Sequence, residues 1–160
     1  MTRYWLMKSE PTTYSIDALI QFPKQTDHWE GVRNYQARNF LRDAIKKGDK
    51  AFFYHSNCDV PGIVGTMEIV RESYPDITAL DPESPYYDPK STHQHPRWWT
   101  VSVHFLEKFK TVIPLSLLKT FPPLEKMILL KPGNRLSVMP VSQDEWTFIL
   151  NLSSREKLRK

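Results

Sequence analysis

Lys50-Ala51-Phe52-Phe53-Tyr54-His55-Ser56 leads through Asn57-Cys58-Asp59-Val60-Pro61 into Gly62-Ile63-Val64-Gly65-Thr66-Met67-Glu68-Ile69-Val70-Arg71, and the fold turns on this stretch. Two runs rich in aromatic and β-branched residues flank a short polar turn, so residues 50–56 and 62–71 read as neighbouring strands. In the first strand, alternation sends Phe53 and His55 to one face and Phe52, Tyr54 and Ser56 to the other. Upstream, residues 4–8 form a strand stopped at Pro11. Ser15 caps a short helix over 16–22 that Pro23 ends, and a loop carrying Asp27-His28-Trp29 follows. Ala37, Phe40, Leu41, Ala44 and Ile45 then fall at helical spacing, closed by Lys46-Lys47-Gly48.

Downstream, residues 74–96 hold Pro75, Pro82, Pro85, Pro89 and Pro96 and read as a long loop. Trp99, Val101, Val103 and Phe105 alternate with Thr100, Ser102 and His104, which is the pattern of a half-buried strand. Short helices are expected over 114–119 and 124–130, and a closing strand over 136–141. Ser142-Gln143-Asp144-Glu145 is a capping box that opens a last helix. The elements do not alternate strictly as strand and helix, which argues against a doubly wound parallel sheet. The expected fold class is α+β: one domain over 1–160, a mostly antiparallel twisted barrel with short helices packed around it, and a basic tail from about 153.

Composition bounds the function. With 160 residues, 40% apolar and 25% charged, the chain can bury a core and is not of disordered composition. A net charge of +4 favours an acidic partner without tight electrostatic clamping. One cysteine, Cys58, points to a reducing compartment, and the expected location is the cytoplasm. No apolar run approaches the roughly 20 residues of a spanning helix, so no membrane is expected. A monomer or weak dimer is expected.

Two runs carry the chemistry: Trp5-Leu6-Met7-Lys8-Ser9-Glu10-Pro11 and Trp29-Glu30-Gly31-Val32-Arg33-Asn34-Tyr35-Gln36-Ala37-Arg38. Each mixes indole, cation, acid and amide groups, the set needed to stack on and hydrogen-bond a flat ligand such as a nucleobase. Asn34 is placed to cap a helix or to meet a base edge. Arg33 and Arg38 are placed to bind phosphate or to pair with a carboxylate. Tyr54, His55 and Ser56 fall at a strand end, and of the adjacent Trp98 and Trp99 one packs inward while the other faces an edge. Catalytic readings are thinner. Cys58 and His55 lack a third group, His93-x-His95 lacks a third metal ligand, and no phosphate-binding glycine loop occurs. No metal or cofactor is expected.

The same runs, with Phe53-Tyr54-His55-Ser56, Pro61-Gly62-Ile63-x-Gly65, Ser84-x-Tyr86-Tyr87-Asp88-Pro89-Lys90 and Pro96-Arg97-Trp98, resemble the EVE domain family from about residue 4 to about 149. The resemblance implies a PUA-like fold related to the ASCH and YTH domains. It also implies a pocket for a modified nucleobase, such as a methylated or oxidised cytosine or a methylated adenine, in DNA or RNA. Carried onto this chain, the implied base pocket takes Trp5, Lys8, Ser9 and Glu10 from the first strand and Trp29, Val32, Asn34 and Tyr35 from the loop and helix start. Tyr54, His55 and Ser56 stand at the barrel mouth, with Trp98 at its rim. The competing reading is an enzyme or small-molecule-binding protein acting on a nucleotide-like ligand.

Overall fold

The computed structural model describes residues 2–158. Its strands are β1 (Tyr4–Ser9), β2 (Thr26–His28), β3 (Lys50–His55), β4 (Gly62–Pro75), β5 (Trp99–Pro114) and β6 (Val138–Val141). Its α-helices are α1 (Ile16–Gln21), α2 (Tyr35–Asn39), α3 (Leu115–Leu118) and α4 (Gln143–Leu158). The strands form one sheet in the order β2-β5-β4-β3-β1-β6, antiparallel throughout except where β1 runs parallel to β3. The pair read from the sequence as β3 and β4 is indeed antiparallel, Lys50 facing Glu68 and His55 facing Gly62. The α+β class and the mostly antiparallel sheet with short helices are as expected from the sequence.

Alternation divides the core. On one face of the sheet Trp5, Met7, Phe53, Met67, Ile69, Val101 and Val103 pack with Ile16 and Leu19 of α1, with Trp29, and with Ala37 of α2. On the other, Leu6, Phe52, Tyr54, Ile63 and Ile113 pack with Trp146 and Ile149 of α4. Trp146 lies stacked on Phe52, ring centres 4.1 Å apart, and on Tyr4 at 4.7 Å. Each such side chain taken from water contributes about 1.5–3 kcal/mol, so both faces are needed.

The caps follow the sequence. Ser15 Oγ accepts from Ala18 N at 3.1 Å. In the capping box, Glu145 N donates to Ser142 Oγ at 3.1 Å while Ser142 N donates to Glu145 Oε1 at 2.9 Å. Other elements differ from the expectation. The helix read over 37–45 is a five-residue α2 followed by a π-helical turn, Phe40–Ala44, in which Ile45 N reaches back to Phe40 O. That wider turn still buries Leu41 and Ile45. The loop around Asp27 contains β2, a three-residue edge strand held by β5 through Thr26 opposite His104. The stretch 124–130 holds a single 3-10 turn, Ile128–Leu130, after another over Pro122–Leu124, rather than a helix. α4 runs on through Leu158, where a tail was expected from about 153; Arg159 and Lys160 lie outside the described residues. Among the described residues, no helix is long and apolar enough to cross a membrane.

Candidate functional site

At the C-terminal ends of β1 and β3 a cavity of about 570 Å³ opens on the face of the sheet that carries Trp29. The end of β1 supplies Lys8, Ser9 and Glu10, and the following turn supplies Thr13 and Tyr14. β2 and the loop after it supply Asp27, His28, Trp29, Glu30, Gly31 and Val32. Ser56, Tyr86, Arg135, Leu136 and Ser137 complete the wall.

Local chemistry explains the placement. After Pro11 the chain turns back, with Thr13 N and Tyr14 N both donating to Glu10 O. Ser9 Oγ then donates to Tyr14 O at 2.7 Å and pins that residue at the cavity. Trp29 is held by its backbone: its N–H donates to Val101 O, and its carbonyl accepts from Thr100 Oγ1 at 2.6 Å. Its indole packs edge-on against Phe53, ring centres 5.1 Å apart, and against Tyr14 at 6.4 Å. Gly31 has a φ of +83°, and a Cβ there would lie 2.6 Å from the Tyr86 ring. The left-handed backbone and the close approach of Tyr86 both require glycine.

The polar groups are of mixed sign. The His28 ring spans two carboxylates, with Nε2 2.7 Å from Glu30 Oε2 and Nδ1 3.1 Å from Asp27 Oδ1. Burial pulls the Lys8 ammonium below its ordinary range; it lies 5.5 Å over the Tyr54 ring, on the α4 side of the sheet. The Tyr14 hydroxyl is buried and closes no hydrogen bond. Burial first, and the nearby Asp27 carboxylate second, push that phenol far above its ordinary range, so it stays protonated. A buried, protonated hydroxyl beside a carboxylate in a cavity wall can donate to that carboxylate or to a ligand.

Of the residues expected at a base site, Lys8, Ser9, Glu10, Trp29, Val32 and Ser56 come together around this cavity. The others are placed elsewhere. Trp5 is buried, and its Nε1 donates to the buried Asp49 carboxylate at 3.0 Å. Tyr54 is packed into the opposite core, as the alternation of β3 dictates. His55 Nε2 accepts from Ile16 N at 3.1 Å at the start of α1, so it serves neither the cavity nor the half-buried Cys58 as a base. Asn34 spends its side-chain oxygen as the α2 cap, accepting from Ala37 N at 2.9 Å. Tyr35 is exposed and stacks on the buried Trp98, ring centres 4.9 Å apart, while Trp98 Nε1 donates to Asp88.

The expected phosphate contacts are already occupied. Arg33 donates to Val32 O, Tyr86 O and Asp76 Oδ2, and Arg38 to Arg97 O and Asn39 Oδ1. Tyr14, Asp27, His28, Tyr86 and Arg135 line the cavity without having been singled out from the sequence. For Tyr86 a signal existed in the run Ser84-x-Tyr86-Tyr87-Asp88. For Tyr14, isolated in a polar turn, there was none. Among the described residues, no group of three or more metal-ligating side chains is assembled.

A model of the EVE domain matches residues 3–152. Thymocyte nuclear protein 1 of Mus musculus is 49% identical over 173 residues, spanning 98% of this chain and 76% of its own length. The crystal structure of the human THYN1 protein in complex with 5-methylcytosine containing DNA is similar with a TM-score of 0.89 at 47% identity, over 95% of this chain and 98% of that one. The Mmi1 YTH domain shares the fold alone, with a TM-score of 0.57 at 14% identity over 98% of this chain and 91% of that one.

Proposed function

The chain belongs to the EVE domain family, and we propose that it is a binding module that reads a modified nucleobase, first of all 5-methylcytosine, in DNA. The observation that carries this reading is the cavity of about 570 Å³, which joins aromatic walls at Trp29, Tyr14 and Tyr86 to acceptors at Asp27 and Glu10 and a donor at Tyr14. A cytosine presents an exocyclic amino donor beside ring and carbonyl acceptors. Carboxylates suit the first, and the phenol suits the others. The human relative, 47% identical, is found with 5-methylcytosine containing DNA, which favours the same ligand here.

A base reaches such a cavity only by leaving the stack, and aromatic stacking worth about 1–3 kcal/mol per base offsets that cost. A methyl group adds about 0.8 kcal/mol when buried, so the methylated base is favoured by about fourfold unless the cavity also rejects the plain one. The single cysteine, Cys58, fits a reducing compartment such as the cytoplasm. The experiment is a binding comparison of oligonucleotides that differ by one methyl on one cytosine, in DNA and in RNA. Tighter binding of methylated DNA is expected; equal affinity across the whole set overturns the reading.

A further inference from the structure

A second cavity, of about 350 Å³, adjoins the first and shares His28 with it. Its walls include Arg71, Tyr74, Ile77, Leu80 and His93. The Tyr74 hydroxyl is fixed against Ser102 Oγ at 2.6 Å, and the Arg71 guanidinium lies flat over the Tyr74 ring, 3.9 Å from its centre. Arg71 is exposed and, among the described residues, gives its donors to no carboxylate, whereas Arg33 pairs with Asp76 and Arg38 is held by Arg97 O and Asn39 Oδ1. Ile77 is 68% exposed at the start of a 3-10 turn that buries Ala79, so packing gives it no reason to be apolar.

One carboxylate ties the two cavities together. Asp76 Oδ1 caps the Ile77 turn through Thr78 N, and its Oδ2 accepts from Gly31 N in the wall of the first cavity. The second cavity therefore combines an apolar side, a guanidinium stacked on Tyr74 whose donors meet no partner among the described residues, and a fixed relation to the base site. We propose that it takes the nucleotide next to the recognised base in the same strand, with its phosphate on Arg71 and its base against Ile77 and Leu80. This rests on the modified-base reading of the first cavity. It also adds to Arg33 and Arg38, which already hold protein partners, a cation that meets none through its donors among the described residues.

The test compares the parent with Arg71→Ala and Ile77→Asp, both exposed positions, against two probes. One is the nucleoside 5-methyl-2′-deoxycytidine; the other is a short single-stranded DNA with one central 5-methylcytosine. Each variant is expected to weaken the oligonucleotide by about tenfold and to leave nucleoside affinity unchanged. Replacing the phosphate beside the methylated nucleotide by an uncharged methylphosphonate should weaken the parent similarly and Arg71→Ala little further. Unchanged oligonucleotide binding by both variants overturns the second subsite while leaving the base reading standing. Equal losses for nucleoside and oligonucleotide also overturn it, because they assign Arg71 and Ile77 to the first cavity. A parent that binds neither probe overturns the base reading itself, and the subsite with it.

Discussion

Arg33 and Asp76 form an ion pair at 3.1 Å in which the carboxylate side chain is wholly buried and the guanidinium 23% exposed. The pair joins the loop carrying Trp29 and Gly31 to the loop carrying Tyr86, because Arg33 also donates to Tyr86 O and Asp76 also accepts from Gly31 N. Removing one partner leaves the other without compensation. Asp76→Ala is expected to cost about 3–5 kcal/mol in urea unfolding and to loosen the cavity.

Asp76 also has a pH signature. Burial alone would raise its carboxyl, but the bonds from Thr78 and Gly31 and the charge of Arg33 outweigh it and hold the group below the ordinary carboxylate range. The stability it contributes is therefore complete above the unfolded value, about 3.9, and is lost as pH falls from there through the lower native value. Urea midpoints measured below pH 4 should fall more steeply for the parent than for Asp76→Asn. Parallel curves would remove this carboxylate from the acid response.

His55 Nε2 accepts from Ile16 N, a role that only the neutral ring can fill. Burial lowers its pKa, with Lys108 adding to the effect and Asp17 opposing it. Above about pH 6.5 both states are neutral and the contribution is complete; as pH falls from there through the lowered native value, the unfolded chain takes up a proton first and stability drops. Melting temperatures across that window should decline for the parent, and His55→Gln should remove that component of the slope.

Tyr14→Phe separates a ligand contact from a structural one. The unpaired hydroxyl costs the free protein part of its desolvation energy, about 1–3 kcal/mol, so the variant is expected to melt at the same temperature or higher. Base affinity is expected to fall by about fivefold. A variant that loses stability instead would show that the hydroxyl serves the fold through Asp27.

Gly31→Ala forces a Cβ to within 2.6 Å of the Tyr86 ring on a left-handed backbone. The backbone strain alone is about 1–2 kcal/mol, and Tyr86 must move out of the cavity wall. Both melting temperature and base affinity should fall, and a crystal structure of the variant should show the ring displaced.

Trp29 is 5% exposed and packed on Phe53, so Trp29→Ala is expected to cost about 3–5 kcal/mol of stability whatever it does to binding. Trp29→Phe is the informative change: folding is retained, and affinity for a stacked base drops because the stacking face is smaller.

Local patterns proved legible where a single element decided the outcome. The faces of Phe52 and Phe53, the Ser142–Glu145 box and the cap at Ser15 all follow from spacing alone. The site was legible only as a region, because the residue types that suit a base also suit a fold. Trp5 needed an acceptor and found Asp49, and Asn34 needed a donor and found Ala37 N. His55 was claimed by the start of α1. Tyr86 arrives through Arg33, 53 positions away in sequence, and no local pattern records such a contact. β2 escaped for a related reason: three polar residues become a strand only because β5 lies beside them.

The sheet has one packed face bearing the cavity and another bearing α4, where Trp146 rests on Phe52. Phe52 and Phe53 are adjacent in the chain yet serve opposite sides. The α4 side acts as ballast, holding the strands in register from behind the cavity. Cavity positions that also carry the fold, Trp29 and Gly31 among them, are not free to change, so divergence of ligand preference is confined to lining residues outside that set.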